Sequence, residues 1–205
     1  MKPEAIKSEI KELLPELKNF PEFSLVCGTA LALQIGHRVS IDLDLFTTED
    51  LPNNLYLRIK KVFKNFKINR IVNNKDQLSV VIGKVKIDFV SHKFPFVLKP
   101  VIYKGLKIIT PAEIALMKAF TLSFRGTNKD YIDLYFLIKD KHITLQKINE
   151  LGDKKYGNEF NFNLFMQQLI GLEDLKIEPI TFLRGKITEK QIQHFFEKEI
   201  AKIKL

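Results

Sequence analysis

Tryptophan is absent from this 205-residue chain, cysteine occurs once and histidine four times. One cysteine excludes an intrachain disulfide framework and suits a reducing compartment. Without Cys partners, the scattered histidines offer no zinc-ligand spacing. No apolar run approaches the ~20 residues of a membrane-spanning helix, so no membrane partner is expected. The first residues, Met1-Lys-Pro-Glu-Ala-Ile-Lys7, lack the apolar core of a signal peptide. A cytoplasmic chain is therefore expected. Repeats, low-complexity segments and flexible linkers are missing too. What is there is a chain with 45% hydrophobic content and 17 phenylalanines, enough for one large domain or two small ones.

The patterning changes character near the middle. Residues 3–18 have helical spacing, with Ile6, Ile10, Leu13, Leu14 and Leu17 on one face and Pro15 as a bend or stop. A short strand at 23–26, a helix at 29–35 and a strand at 41–46 follow. Residues 54–66 read as a basic amphipathic helix. Strands are expected near 68–73, 77–82 and 84–90, the last two joined at Gly83, with a small one at 106–109. From Thr110 the pattern turns helical. Thr110-Pro111-Ala112-Glu113 combines an N-cap, a proline at the first helical position and a capping-box acid. The spacing predicts helices over 111–124, 129–139 (capped by Asn128), 144–156, 160–171 and 188–203. The expected organisation is α+β, with an α/β domain at 1–109 and a helical domain at 110–205.

The acids carry the chemistry. In Ile41-Asp42-Leu43-Asp44-Leu45-Phe46, strand alternation puts Asp42 and Asp44 on one face and both leucines toward a core. Adjacent carboxylates repel unless a cation neutralises them, and oxygen ligands on a rigid strand suit Mg2+. A second acidic strand is Val85-Lys86-Ile87-Asp88-Phe89-Val90. Asp88 is either a third carboxylate of the same site or a surface residue with Lys86 pairing nearby. Gly28-Thr29 opens a helix, whose N-terminal N–H groups suit phosphates. Arg38 and Ser40, just before the acids, are further phosphate donors. Cys27 ends an apolar strand and reads as a small buried hydrophobe rather than a nucleophile.

The net charge is +9, but from Arg58 to Lys107, 13 Lys and Arg face only Asp76 and Asp88, a local net of +11. Such a segment either attracts polyanions or solvates the outer face of a helix and a sheet.

The run Gly28-Thr-Ala-Leu, then Gly36-His-Arg38-x-Ser40-x-Asp42-Leu-Asp44-Leu-Phe46, resembles the first motif of the AbiEii/AbiGii nucleotidyltransferases. These are toxin components of type IV abortive-infection systems in the polymerase-β-like superfamily. Residues 85–90 resemble the second motif, and Ala115-Leu-Met-Lys118-Ala119, Arg125 and Lys129-Asp130-x-x-Asp133-Leu134 resemble the third and fourth. The resemblance implies a nucleotidyltransferase-like mixed sheet followed by helices. It also implies an enzyme that transfers NMP from an NTP to a hydroxyl with Mg2+ or Mn2+. Asp42, Asp44 and Asp88 would be catalytic and metal-binding; Gly28, Thr29, Arg38, Ser40, Lys118 and Asp130 would bind the nucleotide. An RNA or tRNA 3′ end is the implied acceptor and an antitoxin the implied partner. The alternatives are a protein or small-molecule hydroxyl as acceptor, or a degenerate module that binds nucleotide or RNA without turnover. Read without the motifs, Lys118 is a lysine on an amphipathic helix whose face its neighbours leave open, and Asp130 and Asp133 favour a helix start. The family has two consecutive glycines before the threonine; here Cys27 replaces the first, and binding is expected to survive on Gly28.

Overall fold

The computed structural model describes residues 1–124, 126–171 and 177–203. They belong to two compact units, Met1–Thr110 and Pro111–Leu205. The first unit contains α1 (Ser8–Leu13), β1 (Ser24–Leu25), α2 (Cys27–Ile35), β2 (Leu43–Thr47) and α3 (Leu55–Val62). It continues with β3 (Ile68–Asn73), β4 (Gln77–Ile82), β5 (Val85–Ser91), β6 (Val101–Tyr103) and β7 (Leu106–Ile108). The strands form one seven-stranded sheet in the order β3-β4-β5-β2-β1-β7-β6. The pairs β2–β5 and β1–β7 are parallel, and the other neighbours are antiparallel.

Alternation decides which face of the sheet is dry. Val85, Ile87 and Phe89 of β5 and Leu43 and Leu45 of β2 are buried. On the dry face, Phe89 meets Phe20 (5.4 Å between ring centres) and the edge of Phe23 (5.1 Å), and Phe20 stacks on Phe63 beyond α3. Each buried Phe contributes roughly 1.5–3 kcal/mol, so this cluster anchors α3 to the strands. The intervening residues of β2 and β5, Asp44 and Asp88 among them, take the other face.

The expected helix over 3–18 is broken. A 3-10 turn covers Pro3–Ala5, α1 covers one stretch, and a second 3-10 segment covers Leu14–Asn19. Pro15 lacks the N–H that would continue α1 and crowds the preceding turn. The strand expected from residue 41 starts at Leu43. The Ser40 N–H donates to the Ala5 carbonyl (2.9 Å), which pins the chain to the N-terminal segment before it joins the sheet. A strand at Val101–Tyr103 escaped the sequence reading; its signal was Lys104-Gly105, both at positive φ in a two-residue hairpin turn.

Helix α2 starts at Cys27, not at residue 29, and Cys27 is half-buried with φ +55°. A left-handed conformation costs a non-glycine residue about 1–2 kcal/mol, while glycine loses about 0.5–1 kcal/mol of chain entropy in an ordered element. Cys27→Gly is therefore expected to stabilise the first unit by about 0.5–1 kcal/mol. Urea unfolding checks this: an unchanged or lowered midpoint would mean that the left-handed residue carries no strain.

The second unit is helical, with α4 (Pro111–Leu122), α5 (Asn128–Lys139), α6 (Leu145–Tyr156), α7 (Phe162–Ile170) and α8 (Glu189–Ile200). Pro111 opens α4 and the Thr188–Gln191 box opens α8, both as expected from the sequence. Thr127, not Asn128, caps α5; the Asn128 side chain instead exchanges hydrogen bonds with the Glu178 backbone. In the interior Lys155 of α6 pairs with Glu113 of α4 at 2.6 Å, both fully buried, and Phe120 stacks on Tyr156 at 4.1 Å.

Candidate active site

In the first unit, the residues before and after α2 gather at its N-terminus. The Thr29 hydroxyl lies 2.7 Å from Ser40 Oγ and also donates to the Asp42 carbonyl. Arg38 is 4% exposed, and its guanidinium lies against Gly28. A Cβ at residue 28 would stand 2.6 Å from Arg38 Nη2 and 3.5 Å from Ser40 Oγ. With glycine here the guanidinium packs directly on the first turn of the helix, and any added side chain would make it shift. The structure thus brings Gly28, Thr29, Arg38 and Ser40 together, with a buried cation beside helix N–H groups, an electrostatic setting that favours an anion.

The acids follow directly. The Val26 N–H donates to the Asp44 carbonyl (2.9 Å), which holds β2 against the strand that leads into α2. In the parallel ladder Asp44 is in register with Asp88, and in the antiparallel ladder Asp88 is in register with Ser79. Residues in register share a face, so Asp44 and Asp88 stand side by side across neighbouring strands, ~4.8 Å apart along the hydrogen-bonding direction. Asp42 precedes β2 and is exposed, whereas Asp44 and Asp88 are half-buried. Ser79 is fully buried, and its hydroxyl accepts a hydrogen bond from Gln77 Nε2 (2.9 Å).

Lys86 reports on all three acids. Its Nζ donates to Asp88 Oδ2 at 2.6 Å. The ammonium is held above the usual lysine range, first by that hydrogen bond and then by the charges of Asp88, Asp42 and Asp44, against the opposing effect of burial. The other oxygen, Asp88 Oδ1, is buried without a hydrogen-bond partner. A buried carboxylate oxygen with no donor is costly unless a ligand completes it. Among the described residues, no three His, Cys, Asp or Glu side chains are already gathered as a chelating set. The donor chemistry nevertheless fits a hard divalent cation: carboxylate oxygens, one of them open, beside a helix N-terminus.

In the second unit, Lys118 of α4 bridges two acids of α5, with Nζ 2.7 Å from Asp130 Oδ1 and 2.8 Å from Asp133 Oδ2. Lys118 is 8% exposed and Asp133 fully buried, which settles the helix face that the sequence left open. Burial works to raise the Asp130 pKa, but the charge and hydrogen bond of Lys118 and the Thr127 N–H outweigh it and hold the carboxyl below its usual range. Next to it, burial and the Asp130 charge push the Tyr131 hydroxyl up to about 12. The part of Asp133 as a second partner of Lys118 was missed; its signal was the i, i+3 spacing of the acids on one face of α5. Arg125, one of the residues that resemble the third and fourth motifs, lies outside the described residues.

Comparison with known proteins agrees along nearly the whole chain. The sequence pattern of the family "Nucleotidyl transferase AbiEii toxin, Type IV TA system" matches residues 11–204. An uncharacterized protein of Aquifex aeolicus is 28% identical over 200 residues, covering 95% of this chain and 96% of that one. Among solved structures, JHP933 of Helicobacter pylori aligns over 96% of both chains with TM-score 0.56 at 17% identity. MenT4, a nucleotidyltransferase toxin of Mycobacterium tuberculosis, aligns over 95% of this chain and 85% of its own with TM-score 0.57 at 14% identity. At these identities the structural likeness concerns the fold.

Proposed function

The chain belongs to the AbiEii nucleotidyltransferase toxin family of type IV toxin–antitoxin systems, and on that premise we propose that it transfers NMP from an NTP to an RNA 3′ hydroxyl, with Asp42, Asp44 and Asp88 as metal-binding acids. The observation that carries the reading is the register of Asp44 with Asp88 across parallel strands, with an open, buried Asp88 oxygen on that face. In the reaction the acceptor oxygen forms a bond to the α-phosphorus, the bond to the bridging oxygen breaks, and pyrophosphate leaves. The helix N–H groups at Gly28 and Thr29, with Arg38 and Ser40, hold the triphosphate by charge and hydrogen bonding. Mg2+ or Mn2+ bound to the acids would neutralise phosphate charge and polarise the attacking hydroxyl. Asp88 Oδ1 is an open acceptor on this face, available to a cation or to the departing hydroxyl proton. Lys118 and Asp130 of the second unit are proposed as nucleotide-binding residues on the strength of the motif resemblance. Membership of a toxin family implies an antitoxin partner. We place the enzyme in the cytoplasm, in keeping with its single cysteine. Among the described residues no helix is long and apolar enough to cross a membrane.

The RNA acceptor rests on the basic segment of the first unit. Arg58 is tied to Glu22, Lys86 to Asp88 and Lys107 to the Pro21 carbonyl. Lys60 and Lys61 on α3, with Lys64 just beyond it, are exposed. Phosphate contacts release counterions, so binding through them falls steeply with salt. The protein incubated with labelled NTP and either total RNA or total protein is expected to label RNA and release pyrophosphate. Changing Lys60, Lys61 and Lys64 together to Glu is expected to weaken RNA binding by about tenfold or more while NTP binding stays near wild type. RNA labelling at the wild-type rate by that variant in moderate salt would exclude this surface as the acceptor's path. Labelled protein in place of RNA would transfer the reading to a protein hydroxyl.

A further inference from the structure

Asp88 has one side-chain oxygen taken and one open, and what takes the first is a residue of its own strand. Lys86 and Asp88 are two apart on β5 and share its face. The lysine side chain is 46% exposed and the aspartate 13%, so the ammonium reaches from solvent onto a largely enclosed carboxylate. Asp44 stands in register beside that carboxylate. We infer that Lys86 is a built-in counter-ion of the acid cluster, which occupies one Asp88 oxygen and competes, charge against charge, with a divalent cation that binds at the other.

This rests on the metal site proposed above and adds a residue that the motifs assign no role. Two carboxylates side by side need positive charge to remain ionised together. Lys86 supplies one unit of it, with its Nζ 2.6 Å from Asp88 Oδ2 and Asp44 in register beside that carboxylate. A metal that binds at the open Asp88 oxygen therefore shares the carboxylate with an ammonium, and its affinity is lowered by that like-charge competition. The flexible, half-exposed stem allows the ammonium to swing out without disturbing the strand.

The test uses the full chain without nucleotide. Mn2+ is titrated into wild type, Lys86→Gln, Lys86→Arg and Asp88→Asn, and free Mn2+ is followed by its paramagnetic resonance signal. Lys86→Gln is expected to bind Mn2+ about tenfold tighter, a gain of about 1.4 kcal/mol, while Lys86→Arg stays near wild type because the charge is kept. In chelator, Lys86→Gln is expected to melt below wild type, and added Mn2+ raises its melting temperature by more than it raises that of wild type. A residue that served only the strand would not improve metal affinity when lost. If wild type binds Mn2+, Asp88→Asn does not, and Lys86→Gln binds no tighter than wild type, the metal site stands and the counter-ion role falls. If none of the four binds Mn2+, the metal site falls and takes this inference with it.

Discussion

Asp44→Asn is expected to lower nucleotidyl transfer by more than a hundredfold while leaving the fold intact. Loss of an outer-shell partner of a metal typically costs about 10–100-fold, and a direct ligand should cost more. Asp44 sits beside Asp88 in the parallel ladder, and the substitution removes one negative charge from a cluster that repels itself. The strand keeps its backbone pairing and both buried leucines, Leu43 and Leu45. Pyrophosphate release measured against thermal melting separates the two effects. Transfer within about threefold of wild type, in a variant that melts normally, would remove Asp44 from the catalytic site.

The second large effect is on stability. Lys118→Met is expected to destabilise the second unit by about 3–5 kcal/mol, the usual result of removing one partner from a buried ion pair. An ordinary surface lysine would cost within about 0.5 kcal/mol. Asp133 is fully buried, and without Lys118 its charge has lost the ammonium 2.8 Å away. Adding Asp133→Leu to Lys118→Met should recover much of the loss, because the stranded charge goes too. Urea unfolding of the single and double variants gives both numbers; a single-variant loss below about 1 kcal/mol would contradict the buried pair. The Lys118–Asp130 pair also sets a pH dependence. The folded pKa of Asp130 lies below its unfolded value, near 3.9 for an ordinary aspartate. Its contribution is therefore complete above about pH 4 and is lost as pH falls through the folded value.

Local pattern made much of this architecture legible. The β3–β5 meander follows from three runs rich in Ile and Val and from Gly83, which holds φ +61° between β4 and β5. The start of α8 follows from Thr188 and Gln191, whose reciprocal hydrogen bonds form within one turn. The motif residues of the first unit, Gly28, Thr29, Arg38 and Ser40, were identifiable by type and spacing, and they do meet at one helix end. Other features depended on partners far along the chain. Asp42 and Asp44 looked equivalent, yet Ser40 is held by Ala5, so the strand begins after Asp42 and leaves it exposed. Lys118 gave no sign of burial until α5 presented two acids to it.

By itself the sequence determined which residues alternate, which helices start where, and which polar types stand at chemistry-bearing spacings. Each of those depends on contacts within a few residues, where backbone geometry leaves few options. Only the tertiary structure decided that Asp44 and Asp88, separated by two strands and a helix, become neighbours in a parallel ladder. It alone decided that Lys86 closes one oxygen of Asp88 and leaves the other open. Strand order and parallel pairing are chosen by how all the apolar faces are covered at once, and no local stretch of residues carries that sum.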